Sequence, residues 1–85
     1  MHTDNKHTLS YTSYKEIQET LLYNGPVKSI LVNHNKDDSF YELVNFLYYN
    51  IHLAPENILI DAKLDKSLFQ YASFYLDGLC KITKI

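Results

Sequence analysis

Apolar side chains recur at helical spacing in three segments of the chain. Each segment follows a serine that has Glu or Gln three positions later, which is the arrangement of a helix capping box. The Gly25-Pro26 pair is predicted to end the first helix, Pro55 to bar the second, and Gly78 to close the third in a left-handed conformation. We therefore predict helices over residues 14–24, 40–52 and 67–77, opened by Ser13 to Glu16, Ser39 to Glu42 and Ser67 to Gln70.

Four shorter runs beside these helices have the patterns of strands. The runs V-K-S-I-L-V-N-H at 27–34 and N-I-L-I-D at 57–61 have continuous apolar centres, typical of strands covered on both faces. Residues 7–12 and 79–85 alternate between apolar and polar positions, as half-exposed edge strands do. The order β-α-β-α-β-α-β favours an α/β fold, with a mainly parallel or mixed four-stranded sheet packed by three helices. An α+β arrangement is the alternative.

The second predicted helix is more apolar than one buried stripe requires. At 100° per residue a core-facing stripe forms along one side, and it consists of Phe40, Leu43, Val44, Leu47 and Ile51. On the far side, Phe46, Tyr49 and Leu53 recur at helical spacing, with Glu42 beside them. This helix therefore has a second, narrower apolar stripe roughly opposite the first.

The other two helices show this feature weakly or not at all. In the third helix Phe74 lies opposite the core face and Tyr71 lies at its margin. The predicted core face of that helix consists of Leu68, Phe69, Ala72, Tyr75, Leu76 and Leu79. The first helix has an ordinary core face, predicted to contain Ile17, Leu21 and Leu22, with Tyr23 on the outside.

Two interpretations of the second stripe are open. Either the N-terminal segment or another helix covers it within the monomer, or it is exposed for a protein partner or a second copy of the chain. Aromatic side chains are enriched at the centres of interfaces, because they bury a large area at a low cost in side-chain entropy. The predicted partner-binding residues are Glu42, Phe46, Tyr49, Leu53, Tyr71 and Phe74.

Composition indicates one folded domain. The chain has 85 residues, 46% of them hydrophobic, with eight Tyr and four Phe, which is too apolar for a disordered segment. We predict a flexible tail over residues 1–6 and a single globular domain over 7–85. Its apolar runs are far too short to span a membrane, and no secretory signal is predicted. With a single Cys no internal disulfide can form, which agrees with a cytoplasmic location.

Charge argues against a nucleic-acid partner. The formal net charge is −2, and the basic residues are eight Lys spread singly along the chain, with no Arg. Arg supplies the planar fork that clamps phosphates and reads guanine edges, and it is missing. The abundance of Lys, Asn, Ile and Tyr is typical of an AT-rich genome, such as that of a phage, a mobile element or a low-GC bacterium.

Acidic residues after two of the strands form a candidate ligand site. If the strands at 27–34 and 57–61 are parallel neighbours, the residues that follow them meet at one edge of the sheet, where ligands of open sheets bind. These residues are Asn33, His34, Asp37, Asp38, Asp61 and Asp65. Oxygen ligands of this kind suit Mg²⁺. We favour the alternative that Asp37 and Asp38 cap the second helix and interact with its positive end.

No catalytic constellation can be assembled from the remaining residues. The four His do not converge on a zinc site, and Cys80 is predicted to be a buried, inert thiol. No cofactor is predicted. We therefore expect a non-enzymatic protein-binding domain of the inhibitor, immunity-protein, antitoxin or phage-encoded host-factor-blocker type, which docks aromatic helix faces on its partner. The alternative is a homo-oligomeric regulatory domain that senses a cation or small ligand through the acidic strand-end cluster.

Overall fold

A computed structural model describes residues 8–34 and 39–85 of the chain, and in them strands and helices alternate as predicted. The elements are β1 (Thr8–Ser10), α1 (Tyr14–Asn24), β2 (Ser29–Val32), α2 (Phe40–Tyr49), β3 (Asn57–Ile60), α3 (Lys66–Leu76) and β4 (Lys81–Lys84). A short 3₁₀ turn, Ile51–Leu53, follows α2. The α/β prediction is confirmed. The predicted tail over residues 1–6 lies outside the described residues.

The four strands form one fully parallel sheet in which strand order follows chain order, β1-β2-β3-β4. Every right-handed crossover then moves in the same direction across the sheet, so all three helices lie on one face. Burial agrees with this arrangement: Ile30 and Ile58 are 0% exposed, whereas Leu31 and Leu59, which point to the opposite face, are partly exposed. None of the helices in the described residues therefore covers the second face of the central strands, which was predicted to be covered as well.

The core lies between the sheet and the helices, and α2 is the central helix of its layer. Four residues of its predicted core-facing stripe are 0% exposed: Phe40, Leu43, Val44 and Leu47. The fifth, Ile51, is 55% exposed, so that part of the prediction is wrong. The reason is that α2 ends at Tyr49 and the tighter 3₁₀ turn that follows changes the direction of the side chains.

The two outer helices bury narrower stripes than predicted. In α1, Ile17 and Leu21 are buried as expected, but Leu22 is 60% exposed. In α3 the buried residues are Leu68, Ala72 and Leu76, spaced four apart, while Tyr75 is 37% exposed. An outer helix packs against the sheet and one neighbouring helix, so a narrower arc of its surface is covered.

Only the first predicted capping box forms, and only in part. The amide of Glu16 donates to the Ser13 hydroxyl at 3.3 Å, which satisfies one free donor of the first turn. The Glu16 carboxylate does not return to the Ser13 amide; it accepts a hydrogen bond from the Thr12 hydroxyl instead. At the other end of α1, Gly25 has φ +87°, which agrees with the predicted stop.

The starts of α2 and α3 differ from the prediction. Ser39 has helical backbone angles (φ −71°, ψ −9°) and makes no side-chain capping hydrogen bond in α2, because a capping side chain needs an extended backbone. Helix α3 begins at Lys66, and Asp65 caps it by accepting from the Ser67 amide at 2.9 Å. Ser67 is therefore inside the helix that it was predicted to cap.

None of the helices in residues 8–34 and 39–85 is both long enough and apolar enough to cross a lipid bilayer.

Candidate functional site

Aromatic side chains from α2 and α3 form a continuous row of ring contacts along the line where the two helices meet. Tyr41 and Tyr71 have ring centroids 4.9 Å apart, and Tyr71 lies 4.7 Å from Tyr75. Tyr75 in turn lies 6.0 Å from Tyr48 and 5.0 Å from Phe74, and Tyr48 lies 5.2 Å from Tyr49. We call this set the aromatic ladder; its members are Tyr41, Tyr48, Tyr49, Tyr71, Phe74 and Tyr75.

The ladder forms because two helical spacings match across parallel helices. Tyr41 and Tyr48 are seven residues apart on α2, and Tyr71 and Tyr75 are four apart on α3, so each pair lies on one side of its helix. Crossovers of the same hand make α2 and α3 run in the same direction, and these two sides then face each other. Most neighbouring rings meet nearly edge-to-face, with interplanar angles of 78° to 89°, which is a preferred aromatic geometry.

Hydrogen bonds hold the start of the ladder. The Tyr41 hydroxyl is 3.1 Å from the Ser67 hydroxyl, and the Tyr71 hydroxyl donates to Asn45 Oδ1 at 3.1 Å. Each of these bonds joins α2 to α3. They fix the two helices relative to each other where the ladder is partly buried.

Exposure increases toward the carboxyl ends of the two helices. Tyr75 is 37% and Tyr48 45% exposed, and Phe74 and Tyr49 reach 79% and 80%. We call these four residues the open end of the ladder. Together they expose roughly 500 Å² if one aromatic side chain presents about 200 Å². An area of a few hundred Å² is near the upper limit for a soluble monomer, and patches of this size are often functional.

The opposite side of α2 is covered. Phe46 is partly buried, and its ring lies 6.2 Å from that of Tyr14 at the start of α1. Leu53 is only 6% exposed, because the 3₁₀ turn directs it into the core. Phe46, Tyr49 and Leu53, which were predicted to share one stripe, therefore differ in exposure, and of the three only Tyr49 is exposed. Another helix covers Phe46, as the first of the two interpretations proposed.

The remaining predicted partner-binding residues lie on α2 and α3. Tyr71 and Phe74 belong to the ladder, and Glu42 is exposed in the first turn of α2. Three ladder residues were not predicted as binding residues: Tyr41, Tyr48 and Tyr75. Their helical spacing can be read from the sequence. That the sides of α2 and α3 they occupy face each other can be predicted only once the two helices are known to be parallel neighbours.

Near the open end neither helix has a lysine. The one lysine of α2 and α3 is Lys66, at the opposite end of α3. Neither helix has a basic residue in its last turn, so no lysine or arginine offsets the partial negative charge of its carboxyl end. The Asn50 side chain donates to the Phe46 carbonyl at 2.9 Å, and the Cys80 amide donates to the Leu76 carbonyl at 3.1 Å, so part of this charge is satisfied by hydrogen bonds. Because the helices are parallel, both negative ends lie beside the open end. Asp77, the residue after α3, adds a carboxylate, and the exposed His52 follows α2 closely in sequence.

The predicted strand-end ligand site does not assemble in the described residues. Strands β2 and β3 are parallel neighbours, as predicted, but Asp61 is occupied locally: it accepts from the Lys63 amide at 2.8 Å and lies 3.7 Å from Lys63 Nζ. Asp65 caps α3, and the hydrogen bond from the Ser67 backbone lowers its pKa below the ordinary 3.8. The hollow that both carboxylates line holds about 20 Å³, room for about one water molecule.

Topology gives a reason for this result. Ligands of open α/β sheets bind where the strand order reverses, and a sheet whose strand order follows the chain has no such point. Within residues 8–34 and 39–85, no group of three or more His, Cys, Asp and Glu side chains could hold a metal ion. Asp37 and Asp38 lie outside the described residues. His34 packs its ring 6.0 Å from that of Tyr11.

Cys80 lies just before β4 and is partly buried. Burial raises the pKa of its thiol to about 11. At neutral pH the thiol is therefore protonated, whereas a nucleophilic cysteine reacts as the thiolate.

Comparison of the chain with models of protein families, with curated proteins and with solved structures gave no significant match.

Proposed function

We propose that the protein is a small non-enzymatic binding domain that docks on another protein through the open end of the aromatic ladder. The observation that carries the proposal is the exposure of Tyr49 and Phe74, at 80% and 79%, beside two further exposed tyrosines. Burying a large apolar side chain contributes about 1.5–3 kcal/mol. Association costs remove part of that gain, but four adjacent rings leave a surplus that a single exposed residue would not.

The rings are well placed to act as rigid anchors. They sit on helices that the core holds in place, and the edge-to-face contacts restrict the rotamers of each ring. A preorganised aromatic side chain loses little entropy on binding, which is why Tyr and Trp dominate interface hot spots. Glu42 would supply a charged contact at the rim, about 10 Å along α2 from Tyr49 at 1.5 Å per residue.

A domain of this kind acts by occupying a surface on its target. We propose the roles of inhibitor, immunity protein, antitoxin or phage-encoded host-factor blocker, since each requires a compact chain with a rigid binding face and no chemistry of its own. Other polar groups agree with this role. The Cys80 thiol is protonated at neutral pH, and the carboxylates of Asp61 and Asp65 are engaged in local contacts.

Self-association is the second candidate, and the sheet face opposite the helices, which no helix of the described residues covers, favours it. Parallel sheets are usually covered on both faces, yet Leu31 and Leu59 lie partly exposed at the centre of that face. The four strands, of which β1 has three residues and the others four, lie about 4.8 Å apart and present at most roughly 250 Å². A stable dimer buries about 800 Å² on each partner. The sheet face alone is therefore too small, and we rank this candidate below the first.

Photo-crosslinking from defined positions distinguishes the two candidates. A benzoylphenylalanine is placed at position 49 or, as a matched control, at position 23, because Tyr23 is a 90% exposed tyrosine on α1 outside the ladder. We expect position 49 to crosslink one protein of the native host in a lysate, and position 23 to crosslink none. Self-association through the sheet face, which lies on the side of the sheet away from α2, would instead give a dimer in light scattering and no selective crosslink from position 49. Equal and unselective crosslinking from both positions would overturn the proposed function.

A further inference from the structure

The charges that surround the aromatic ladder are unevenly distributed. Between Lys36 and Lys63 the sequence contains no Lys or Arg, and α3 has none after Lys66. Helix α2 therefore has no Lys or Arg at all, and α3 has none after its first residue. The one charged side chain of α2 is Glu42. The residue that follows α3, Asp77, is also acidic and exposed.

Among the described residues, the lysines near this end of the molecule lie just before β2, at Lys28, and at the start of β4, at Lys81. Lys28 lines a shallow hollow together with Glu56. Lys81 begins β4, and because side chains alternate along a strand it points away from the helices, opposite to Ile82, which packs against the core. Neither residue belongs to the helix surface that presents the open end of the ladder.

Elsewhere in this chain an aromatic ring and a lysine do meet. Lys84 Nζ lies 5.2 Å from the centroid of the Phe69 ring, a distance typical of a cation–π contact. Phe69 is partly buried and has its cation from within the domain. The rings of Tyr48, Tyr49 and Phe74 are more exposed, and their own helices provide no lysine beside them.

From this asymmetry we infer that the open end of the ladder recognises a basic segment of a protein partner, presented through arginine side chains. The inference rests on the proposed function, because it assigns the chemistry of the partner that the same surface binds. Three contributions favour a cation at this place: the negative faces of the rings, the carboxyl ends of α2 and α3, and the Asp77 carboxylate.

Arginine suits the surface better than lysine. Its guanidinium is planar, stacks on aromatic faces and is less strongly hydrated than an ammonium group. Its five N–H donors can also reach helix carbonyl groups or a carboxylate while the plane rests on a ring. The effect of one well-seated guanidinium is on the order of tenfold in affinity. An acidic segment would meet like charge at the same surface.

Matched synthetic peptides test the inference. Four capped peptides share an alternating leucine pattern and carry arginine, lysine, citrulline or glutamate at the other positions; citrulline keeps the shape of arginine without its charge. Binding is followed by chemical-shift changes of backbone amides at low and at moderate salt. We expect the arginine peptide to bind about tenfold more tightly than the citrulline peptide. We expect the largest shifts at Tyr48, Tyr49, Phe74 and Tyr75, and weaker binding at higher salt.

Variants separate this site from unspecific attraction to an acidic protein. The double variant Tyr49→Ser, Phe74→Ser keeps every charge and, since both side chains are exposed, is expected to fold. It should lose most of the arginine preference, while Tyr23→Ser should keep it and Asp77→Asn should weaken it. Should the double variant prove unfolded, Tyr49→Ser alone, which retains the α3 rings, is compared in its place.

Several results would overturn the inference. These are equal binding of the citrulline or glutamate peptide, an arginine preference retained in the variant, shifts centred on the acidic residues of α1, and no binding by any of the peptides. Each leaves the proposed function intact if position 49 still crosslinks a host protein selectively. Failure of that crosslinking, with cation-selective peptide binding retained, would instead count against the proposed function.

Discussion

The two sides of α2 meet their neighbours in different ways. On the α1 side, Phe46 lies against Tyr14 and is partly buried. On the α3 side, rings touch one another in sequence and become progressively exposed, up to 80% at Tyr49. Both sides are aromatic, so apolar character alone does not tell which one a partner would use. The difference is that α1 covers Phe46, whereas on the α3 side the last rings of the row remain exposed to solvent.

A buried polar contact strengthens this difference. The Ser39 hydroxyl, at the start of α2, is hydrogen-bonded to the buried hydroxyl of Tyr11 and accepts from the Tyr14 amide at 3.3 Å. The first turns of α1 and α2 are thereby fixed together. On the α3 side, the bond from Tyr71 to Asn45 is exposed, and the one between the Tyr41 and Ser67 hydroxyls is only partly buried. The covered side thus has the features of a protein core, and the open side those of an interface.

Truncation at the turn after α2 should give the largest effect. Leu53 is buried and Ile51 is 55% exposed, although an uninterrupted helix predicts the reverse. We expect Leu53→Ala to lower the free energy of unfolding by about 2–4 kcal/mol through loss of burial and the cavity left behind. Ile51→Ala should change it by less than about 0.5 kcal/mol. Urea unfolding followed by circular dichroism measures both, and a larger cost for Ile51→Ala would refute the described turn.

A matched pair of phenylalanines compares the two sides of α2 directly. Phe46 is partly buried on the covered side, and Phe74 is 79% exposed on the open side. We expect Phe46→Ala to cost about 2 kcal/mol, less than the 3–5 kcal/mol of a fully buried Phe. Phe74→Ala should cost less than about 0.5 kcal/mol. The same urea titrations decide the matter. Equal costs would mean that the two sides are covered to the same extent and that Phe74 does not belong to a free binding surface.

The order of elements could be predicted because its evidence is local. Helical periodicity, strand-like apolar runs and stops such as Gly25 and Gly78 are all read within a few residues of the sequence, and the structure confirms them. The details of capping were less accessible. Asp65 and Ser67 are both good capping residues, and the choice between them depends on where the preceding chain enters the helix.

The candidate site was less predictable, because it depends on which elements are neighbours in space. A periodicity argument places Phe46, Tyr49 and Leu53 on one face of an isolated helix. Whether Phe46 is covered depends on α1 lying beside α2, and this follows from the strand order, which no local pattern encodes. Leu53 also depends on the exact end of α2, since helix boundaries are uncertain by one or two residues.

Removal of single hydroxyl groups should also distinguish the two sides of α2, by a smaller difference in the free energy of unfolding. Tyr11→Phe removes a buried hydroxyl that is hydrogen-bonded to Ser39, and we expect a loss of about 1–2 kcal/mol in the free energy of unfolding. Tyr71→Phe removes an exposed bond to Asn45 and should cost less than about 0.5 kcal/mol, since water replaces the partner. Thermal and urea unfolding of both variants check this. A cost for Tyr71→Phe equal to that for Tyr11→Phe would show that the ladder is structural along its whole length.

The smallest expected effect is a pH dependence of stability that comes from the start of α3 and not from the start of α2. Ser39, at the start of α2, does not titrate, whereas the exposed Asp65 carboxylate caps α3 and has a pKa below the ordinary 3.8, chiefly because the Ser67 amide donates to it. Because the folded-state pKa is the lower one, the ionised carboxylate stabilises the fold fully above about pH 4, and this stabilisation is lost as the pH falls through the folded-state value.

Melting temperatures of the wild type, Asp65→Ala and Asp65→Asn between about pH 7 and about pH 2 measure that loss. We expect the wild type to exceed Asp65→Ala near neutral pH, and this gap to narrow in acid. The gap between Asp65→Asn and Asp65→Ala should stay nearly constant, because the Asn side chain accepts from the Ser67 amide without titrating. If the wild-type gap did not change with pH, the charge of Asp65 would contribute nothing to holding α3. Helix α3, and with it the open end of the ladder, would then be held by its packing against α2 and the sheet and by its other hydrogen bonds.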